Sequence, residues 1–250
     1  MADVLQTLKR QRTRMLLINL AYFTALLALG VLLFLKNAGG TPGFVMIAVC
    51  LTGYLMLVRP LSRQYLRSMR ETLLLHTVCA KLADCEYRSK GGVPAEVVRT
   101  CGLVSISADS FMSREHITGR CGTMSVEMAD VTFPIVERNR NAMFSGAFVQ
   151  LTCPGAKFIP FTVQAGQWDH LVLPPKQLAL VKELGALIPG SLYLKTAGET
   201  MTLLLRGRFL GFRINPLVEL TEKTLRANPF PELESAIALA HMMGAHRDNH

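Results

Sequence analysis

Residues suited to acid–base chemistry occur as adjacent pairs at two places in the middle of the chain. His116 follows Glu115, and His170 follows Asp169. Adjacent residues of a strand point to opposite faces of a sheet, so neither pair is evidence of a catalytic dyad. No nucleophile-elbow, zinc-protease or phosphate-loop motif accompanies them. The sequence therefore assigns no catalytic residue. It favours a protein without enzymatic activity, although an enzyme stays possible.

Metal and cofactor motifs give no assignment either. His241, His246 and His250 lie near the end of the chain, at spacings of five and four. A histidine site also needs packed groups that orient its ligands, and a chain terminus does not provide them. A Rossmann-type glycine signature does not occur in the sequence. We therefore predict no metal site and no cofactor.

The cysteines do not follow the spacing of a metal motif. There are six of them: Cys50, Cys79, Cys85, Cys101, Cys121 and Cys153. Five residues separate Cys79 from Cys85, which matches neither of the common zinc-ligand spacings. We expect reduced, mostly buried thiols and hence a reducing compartment.

Positive charge is concentrated at the N-terminal end. The net charge is +9, and residues 1–70 carry nine basic residues against one acid, Asp3. From Glu71 onwards, 18 basic residues face 17 acidic ones. A nucleic-acid-binding domain needs a basic face in its folded part. The near-neutral remainder therefore argues against a nucleic-acid partner, and the basic segment points to a membrane surface.

Two long apolar runs predict a transmembrane hairpin. Residues 15–35 contain no charge, and at 1.5 Å per residue they are long enough for the hydrocarbon layer of about 30 Å. A glycine- and proline-rich connection leads to a second span at 42–58, so the two helices are expected to be antiparallel neighbours. A cleaved signal peptide is the alternative for the first span, but its apolar run is too long for one.

Small residues predict the contact between the two helices. Ala21, Ala25 and Ala28 share one face of the first helix, and Ala48 and Thr52 share one face of the second. In lipid, close approach at small residues supplies much of the packing between helices. The alternative is that alanines are simply common in membrane spans.

Flanking charges predict the orientation. Four basic residues precede the first span and four follow the second, whereas the connection carries Lys36 alone. Basic residues remain on the cytoplasmic side of a membrane. We therefore expect a multi-pass protein of the cell (inner) membrane with both termini in the cytoplasm.

A long juxtamembrane helix is predicted over residues 60–89, with Pro60 at its tolerated first turn. Its basic stripe comprises Arg59, Arg63, Arg67 and Arg70, at helical spacings of four, four and three. Such a stripe beside a span can contact anionic lipids. The alternative is that these arginines only fix the topology.

Residues 90–243 are predicted to form a cytoplasmic α+β domain with mostly antiparallel strands, followed by a tail at 244–250. Strands are expected within 97–106, 122–131, 142–152, 158–163, 191–195, 200–205 and 209–214. Helices are expected at 174–187, 216–227 and 231–243. Strands and helices in separate runs are typical of the α+β class.

In the order of its parts, the sequence from about Gln11 to Met243 resembles a family of bacterial two-span membrane proteins known only as a domain of unknown function. The resemblance rests on EHITG at 115–119, MADV at 128–131, FSGAF at 144–148, LVLPP at 171–175 and a strand pair ending in Phe209. The Phe-x-Gly-x-Phe strand is its sharpest element. The resemblance implies a bacterial cytoplasmic membrane and brings no catalytic residue with it.

Three functions remain open at this point. The first is a non-catalytic scaffold or interaction module, anchored in the bilayer and serving an unknown protein partner. The second is a membrane-bound enzyme acting on a lipid or envelope precursor, which needs a pocket with converging polar groups such as His116, Glu127 or Asp130. The third is an accessory subunit of a channel or transporter.

Overall fold

The computed structural model of the chain describes residues 2–35, 48–104, 106, 110–137, 140–164, 171–188, 192–210 and 230–244. Contacts divide these residues into two units, with the boundary between Leu73 and Leu74. The fold is α+β, as predicted. It combines a long apolar N-terminal helix with a seven-stranded antiparallel sheet.

The first unit consists of long helices. Helix α1 covers Ala2–Leu35, which corresponds to about 50 Å at 1.5 Å per residue. A second helical run includes residues 48–53 and continues as a π-helical segment at Tyr54–Val58. Helix α2, Arg59–Thr77, follows without a break. The start of the predicted second span, 42–47, lies outside the described residues.

Pro60 is the second residue of α2 and so lies in its first turn, as predicted, and the helical run continues into it from the π-helical segment. Proline has no N–H, and its ring clashes with the carbonyl four residues earlier. The chain widens to a π-helix just before it, where the Arg59 N–H donates to the carbonyl of Tyr54, five residues back. A π-bulge thus lets the helix pass through a proline position.

The predicted small-residue contact between the helices was also wrong. Ala21, Ala25 and Ala28 are exposed, and so are Ala48 and Thr52. The half-buried face of α1 comprises Asn19, Tyr22, Leu26 and Gly30. A large side chain, Tyr22, lies at the contact, and Gly53 on the other helical run leaves space for it.

Helix α2 ends at Thr77, short of the predicted end at 89. A 3₁₀ turn at Cys79–Lys81 leads into strand β1, Ala83–Arg88. Asp84 has a φ of 50°, a left-handed conformation that a helix cannot contain. The segment therefore leaves the helix and pairs with the neighbouring strand of the sheet, so the long juxtamembrane helix was overextended.

Cys79 and Cys85 form a disulfide, with their Cα atoms 5.4 Å apart. The expectation of reduced thiols was therefore wrong for this pair. The turn between α2 and β1 folds the two residues together, a proximity that spacing along the chain does not reveal. Free cysteines are Cys50, Cys101, Cys121 and Cys153.

The second unit is built on one antiparallel sheet in the order β1-β2-β3-β4-β7-β6-β5. The remaining strands are β2 Met112–Cys121, β3 Met124–Glu137, β4 Arg140–Thr152, β5 Phe158–Val163, β6 Leu192–Gly198 and β7 Thr200–Arg206. Its helices are α3 Ala95–Thr100, α4 Pro175–Ala186 and α5 Pro231–Gly244.

Most predicted elements of this unit are confirmed, namely β3, β4, β5, β6, β7, α4 and α5. The strand expected within 97–106 was wrong, because α3 covers residues 97–100 and the described residues after it are not in a strand. Pro94 precedes α3, and Glu96 and Arg99 pair within it. The helix expected at 216–227 lies outside the described residues, as does most of the strand at 209–214.

Alternate residues of the strands divide between two hydrophobic cores. Met124, Val126 and Met128 belong to the first core, together with side chains of α4 and α5. Val131 and Phe133 belong to the second, which the segment around α3 covers. Because successive side chains of a strand point to opposite faces, the two cores lie on opposite sides of the sheet.

The Phe-x-Gly-x-Phe strand has a packing explanation. Phe144 and Phe148 are fully buried in the second core, and the ring of Phe144 stacks on Phe133 with centroids 4.9 Å apart. A Cβ at Gly146 would collide with the carbonyl oxygen of Leu205 on β7. The motif thus places two aromatic rings in the core at a point where only glycine fits the neighbouring strand.

The sheet face that carries the second core has polar residues beside that core. One register row crosses all seven strands with polar residues alone: Glu86, Thr118, Glu127, Gln150, Thr202, Lys195 and Thr162. The adjacent row, which contains Ala129, Phe148 and Leu204, is apolar and buried. The second core therefore ends at a sharp boundary on this face.

Candidate membrane-binding site

Residues 16–32 of α1 form an exposed, mostly apolar surface, which we call the belt. Leu17, Leu20 and Leu27 are 60%, 65% and 72% exposed. None of the side chains from residue 16 to residue 32 is buried, a stretch of about 25 Å along the helix axis. Soluble proteins rarely leave so large a continuous apolar surface in contact with water.

Helix α1 is long and apolar enough to cross a membrane over Leu5–Leu32, judged by length and composition. It is the one such helix in the part of the chain that the structure describes. The second helical run continues the same belt, since Val49, Leu51 and Met56 are also mostly exposed.

The two helical runs touch at Tyr22. Its hydroxyl donates a hydrogen bond to the backbone carbonyl of Cys50, and its ring lies 6.4 Å from the ring of Tyr54 between centroids. A Cβ at Gly53 would come within 3.3 Å of the Tyr22 hydroxyl oxygen. Gly53 thus leaves the space that the tyrosine ring occupies.

Tyr65 on α2 is buried, and burial raises the pKa of its hydroxyl. The positive charge of Arg12 on α1 opposes that rise.

On both helical runs, the exposed apolar belt ends where buried side chains begin. On α1, Met15 is the last buried residue before the belt, and on the other run Val58 is the first buried residue after it. An exposed arginine adjoins each of them, namely Arg14 and Arg59. The belt therefore ends at arginines on both helices.

We call Arg10, Arg14, Arg59 and Arg63 the basic collar. All four are exposed, and Arg14, Arg59 and Arg63 lie about 9 to 15 Å along the helices from the Tyr22 contact. Between Val4 and Arg70 the sequence contains no acidic residue. Guanidinium groups bind phosphates through paired hydrogen bonds, so the collar is suited to phosphate groups at a membrane surface.

The collar only partly coincides with the basic stripe expected from the sequence. Arg59 and Arg63 belong to both, whereas Arg67 and Arg70 have interaction partners of their own, and Arg70 is half-buried. From the sequence, the arginines of α1 were expected only to fix the topology. Their spacing of four residues, directly before the apolar run, was the signal that could have identified them. Lipid contact by the stripe stays a prediction.

The polar groups considered for an enzyme do not converge. The His116 Nε2 atom lies 2.9 Å from the Glu127 Oε1 atom, and both side chains are partly exposed. Asp130 lies on the opposite face of the sheet, where its Oδ1 atom accepts the Leu210 N–H at 2.6 Å. Glu115, the neighbour of His116, is buried and bonds to the hydroxyl of Tyr87.

The other histidines considered for catalysis or metal binding lie far from His116 along the chain. His241 is exposed near the end of α5, whereas His170, His246 and His250 lie outside the described residues. Within the described ranges, no three side chains of the metal-binding types form a group that could hold an ion.

Comparisons with known proteins give no match. A scan against protein-family models finds none that fits the chain, and searches of curated proteins and of solved structures find no similar protein. The function must therefore be argued from the belt, the collar and the sheet.

Proposed function

We propose that the chain is a non-catalytic interaction module anchored in the cell membrane. Its N-terminal helices form a hairpin across the bilayer, and its sheet unit binds a partner protein at the membrane surface. The observation that carries this proposal is the exposed apolar belt that ends at arginines on both helices. In a bilayer the belt contacts acyl chains and the collar contacts headgroups.

One hydrogen bond and one electrostatic influence support the hairpin. The Tyr22 hydroxyl on α1 bonds to Cys50 on the second run, and the charge of Arg12 on α1 acts on Tyr65 of α2, as we expect for antiparallel runs. The tyrosine hydroxyl bonds to a backbone carbonyl, so it is satisfied without water, as a polar group in a membrane span must be. The second span then ends near Val58, where its buried face begins.

Charge alone supports the orientation. The collar and the other basic residues flank the hairpin on one side, which places both termini in the cytoplasm. The free-thiol argument no longer contributes, because disulfides are rare in the cytosol and Cys79 and Cys85 form one. Topology therefore needs a direct test.

Membrane fractionation tests the anchor. We expect the full chain to remain in the membrane pellet after washing with alkaline carbonate and with concentrated salt, because membrane-spanning helices resist both treatments. Release of the protein by carbonate would refute the hairpin.

Protease protection in intact cells tests the orientation. A tag at the carboxyl terminus should be digested only after the membrane is opened. Digestion in intact cells would place the sheet unit outside, where the disulfide is the expected state of the two cysteines.

Co-purification tests the interaction module. Solubilised membranes should yield a protein that the full chain retains and that a chain with an unfolded sheet unit, such as Gly146→Val, does not. Retention of the same partner by both chains would assign binding to the helices and remove the sheet unit from the proposal.

A further inference from the structure

We propose that one face of α1 is a binding site for the phosphate headgroup of an anionic phospholipid. The site comprises Gln6, Lys9, Arg10, Thr13, Arg14 and Leu17, which line a shallow groove along the helix. This inference rests on the proposed membrane anchor and specifies one ligand at that surface. It differs from the arginine stripe of α2, because it lies on the other helix.

The groove combines the groups that such a headgroup needs. Positions 6, 10, 13 and 17 recur at intervals of three and four residues, so they share one face of the helix. Arg10 and Arg14 provide two guanidinium groups four residues apart. Thr13 and Gln6 add neutral hydrogen-bonding side chains beside them.

The charge of the groove favours an anion. It contains three cations, and none of its lining residues is acidic. Among the described residues, no carboxylate pairs with Arg10 or Arg14. Arg12, which is not a lining residue, is half-buried. Arg10 and Arg14 are exposed, so their guanidinium groups are accessible to a ligand.

The end of the groove indicates a lipid and not a free phosphate. Leu17 and Ile18 line it one helical turn above Arg14, and the exposed belt begins there. A phosphate held by Arg10 and Arg14 would thus have acyl chains beginning at Leu17 and continuing along Leu20. Free phosphate would leave these apolar residues without a function in binding.

The test compares two double variants of the full chain in nanodiscs that contain phosphatidylcholine with a minor fraction of phosphatidylglycerol. Arg10→Gln/Arg14→Gln changes the groove, and Lys157→Gln/Lys176→Gln removes the same charge from two exposed lysines of the sheet unit, outside the collar and the basic stripe. After mild solubilisation, native mass spectrometry counts the phosphatidylglycerol molecules that remain bound. A titration with short-chain phosphatidylglycerol gives the affinity.

We expect the wild-type chain to retain one phosphatidylglycerol, and the groove variant to bind about thirty-fold more weakly, as the loss of two basic residues beside the lipid headgroup predicts. The matched variant should bind like the wild type, and inorganic phosphate at millimolar concentration should not displace the lipid. Equal losses in both variants would overturn the site in favour of a diffuse charge effect. The site would also be overturned if the groove variant bound the lipid as tightly as the wild type, or if inorganic phosphate displaced the lipid.

Carbonate extraction of the same variants separates this inference from the anchor. If both variants stay in the membrane and the groove variant still binds the lipid normally, the headgroup site fails while the anchor stands. If the wild-type chain itself is extracted, the anchor fails. Lipid titration of the extracted protein then decides the site independently.

Discussion

Leucines of the two units have opposite environments. In the sheet unit, Leu203, Leu204 and Leu205 of β7 are at most 1% exposed. In the helical unit, Leu17, Leu20 and Leu27 of α1 are at least 60% exposed. The sheet unit covers its own apolar side chains, whereas α1 presents them outwards. The first unit therefore depends on its surroundings in a way that the second does not.

The difference follows from how each unit covers its apolar residues. The sheet has a core on each face, with α4 and α5 in one core and the segment around α3 in the other. Over the belt, α1 has a described contact with one neighbour, at Tyr22. Each Å² of apolar surface left in water costs about 25 cal/mol, so the exposed belt favours an apolar environment.

A matched pair of leucine truncations should give the largest contrast. Leu204→Ala opens a cavity in the second core and should lower the free energy of unfolding of the sheet unit by about 2–5 kcal/mol. Leu27→Ala removes a 72% exposed side chain and should change the free energy of unfolding of the helical unit by less than about 0.5 kcal/mol. Denaturant titration of the full chain in detergent measures both. Equal effects would mean that the belt is covered by protein.

Placing a charge in the belt should give the next largest effect. Leu27→Arg should reduce membrane insertion by about 2.5–3.5 kcal/mol, the cost of an arginine near the centre of a span. Val172→Arg in the sheet unit is the control, since Val172 is 95% exposed and outside the belt. The carbonate-resistant fraction of each variant is the measurement. A fall for Val172→Arg as large as that for Leu27→Arg would remove the distinction between the two surfaces.

Loss of the disulfide should affect only the sheet unit. Cys79 and Cys85 close a short loop, for which chain entropy predicts about 2 kcal/mol of stabilisation. Cys85→Ser should lower the unfolding midpoint of the sheet unit and leave carbonate resistance unchanged, and Cys121→Ser serves as the control with a free cysteine. A Cys85→Ser chain that unfolds like the wild type would show that the bond does not stabilise the sheet.

The sequence predicted the elements whose signals are local. The strands β4 to β7 and the helices α4 and α5 follow from hydrophobic period and turn residues. It failed where a distant partner decides the conformation. Strand β1 has a helical neighbour in sequence but pairs with β2, and α3 lies in a segment with β-prone residues because it covers the second core.

The site was predictable in part for the same reason. Composition alone located the apolar belt and the arginines at its end. Which arginines are accessible depends on contacts, since Arg67 and Arg70 have partners and Arg12 is half-buried. The helix contact at Tyr22 was missed because the sequence rule favours small residues on both helices, and here a glycine on one helix accommodates a tyrosine on the other.

The smallest expected effect is a pH dependence confined to the sheet unit. Burial raises the pKa of the Cys101 thiol, although a backbone hydrogen bond and Lys195 oppose it, and burial together with Glu199 raises the pKa of Cys153. A thiol whose pKa is higher in the folded state binds more protons there than in the unfolded state. Its stabilising contribution is complete below the unfolded pKa of about 8.5 and is lost as pH rises through the folded pKa.

The free energy of unfolding of the wild-type sheet unit should therefore fall more between pH 7 and pH 10 than that of Cys101→Ala/Cys153→Ala. The variant keeps every other titrating group, so it serves as the matched control. Membrane retention should not change over this range in either chain, because neither thiol belongs to the helical unit. Parallel pH profiles for the two chains would show that the buried thiols do not contribute to the pH dependence of the sheet.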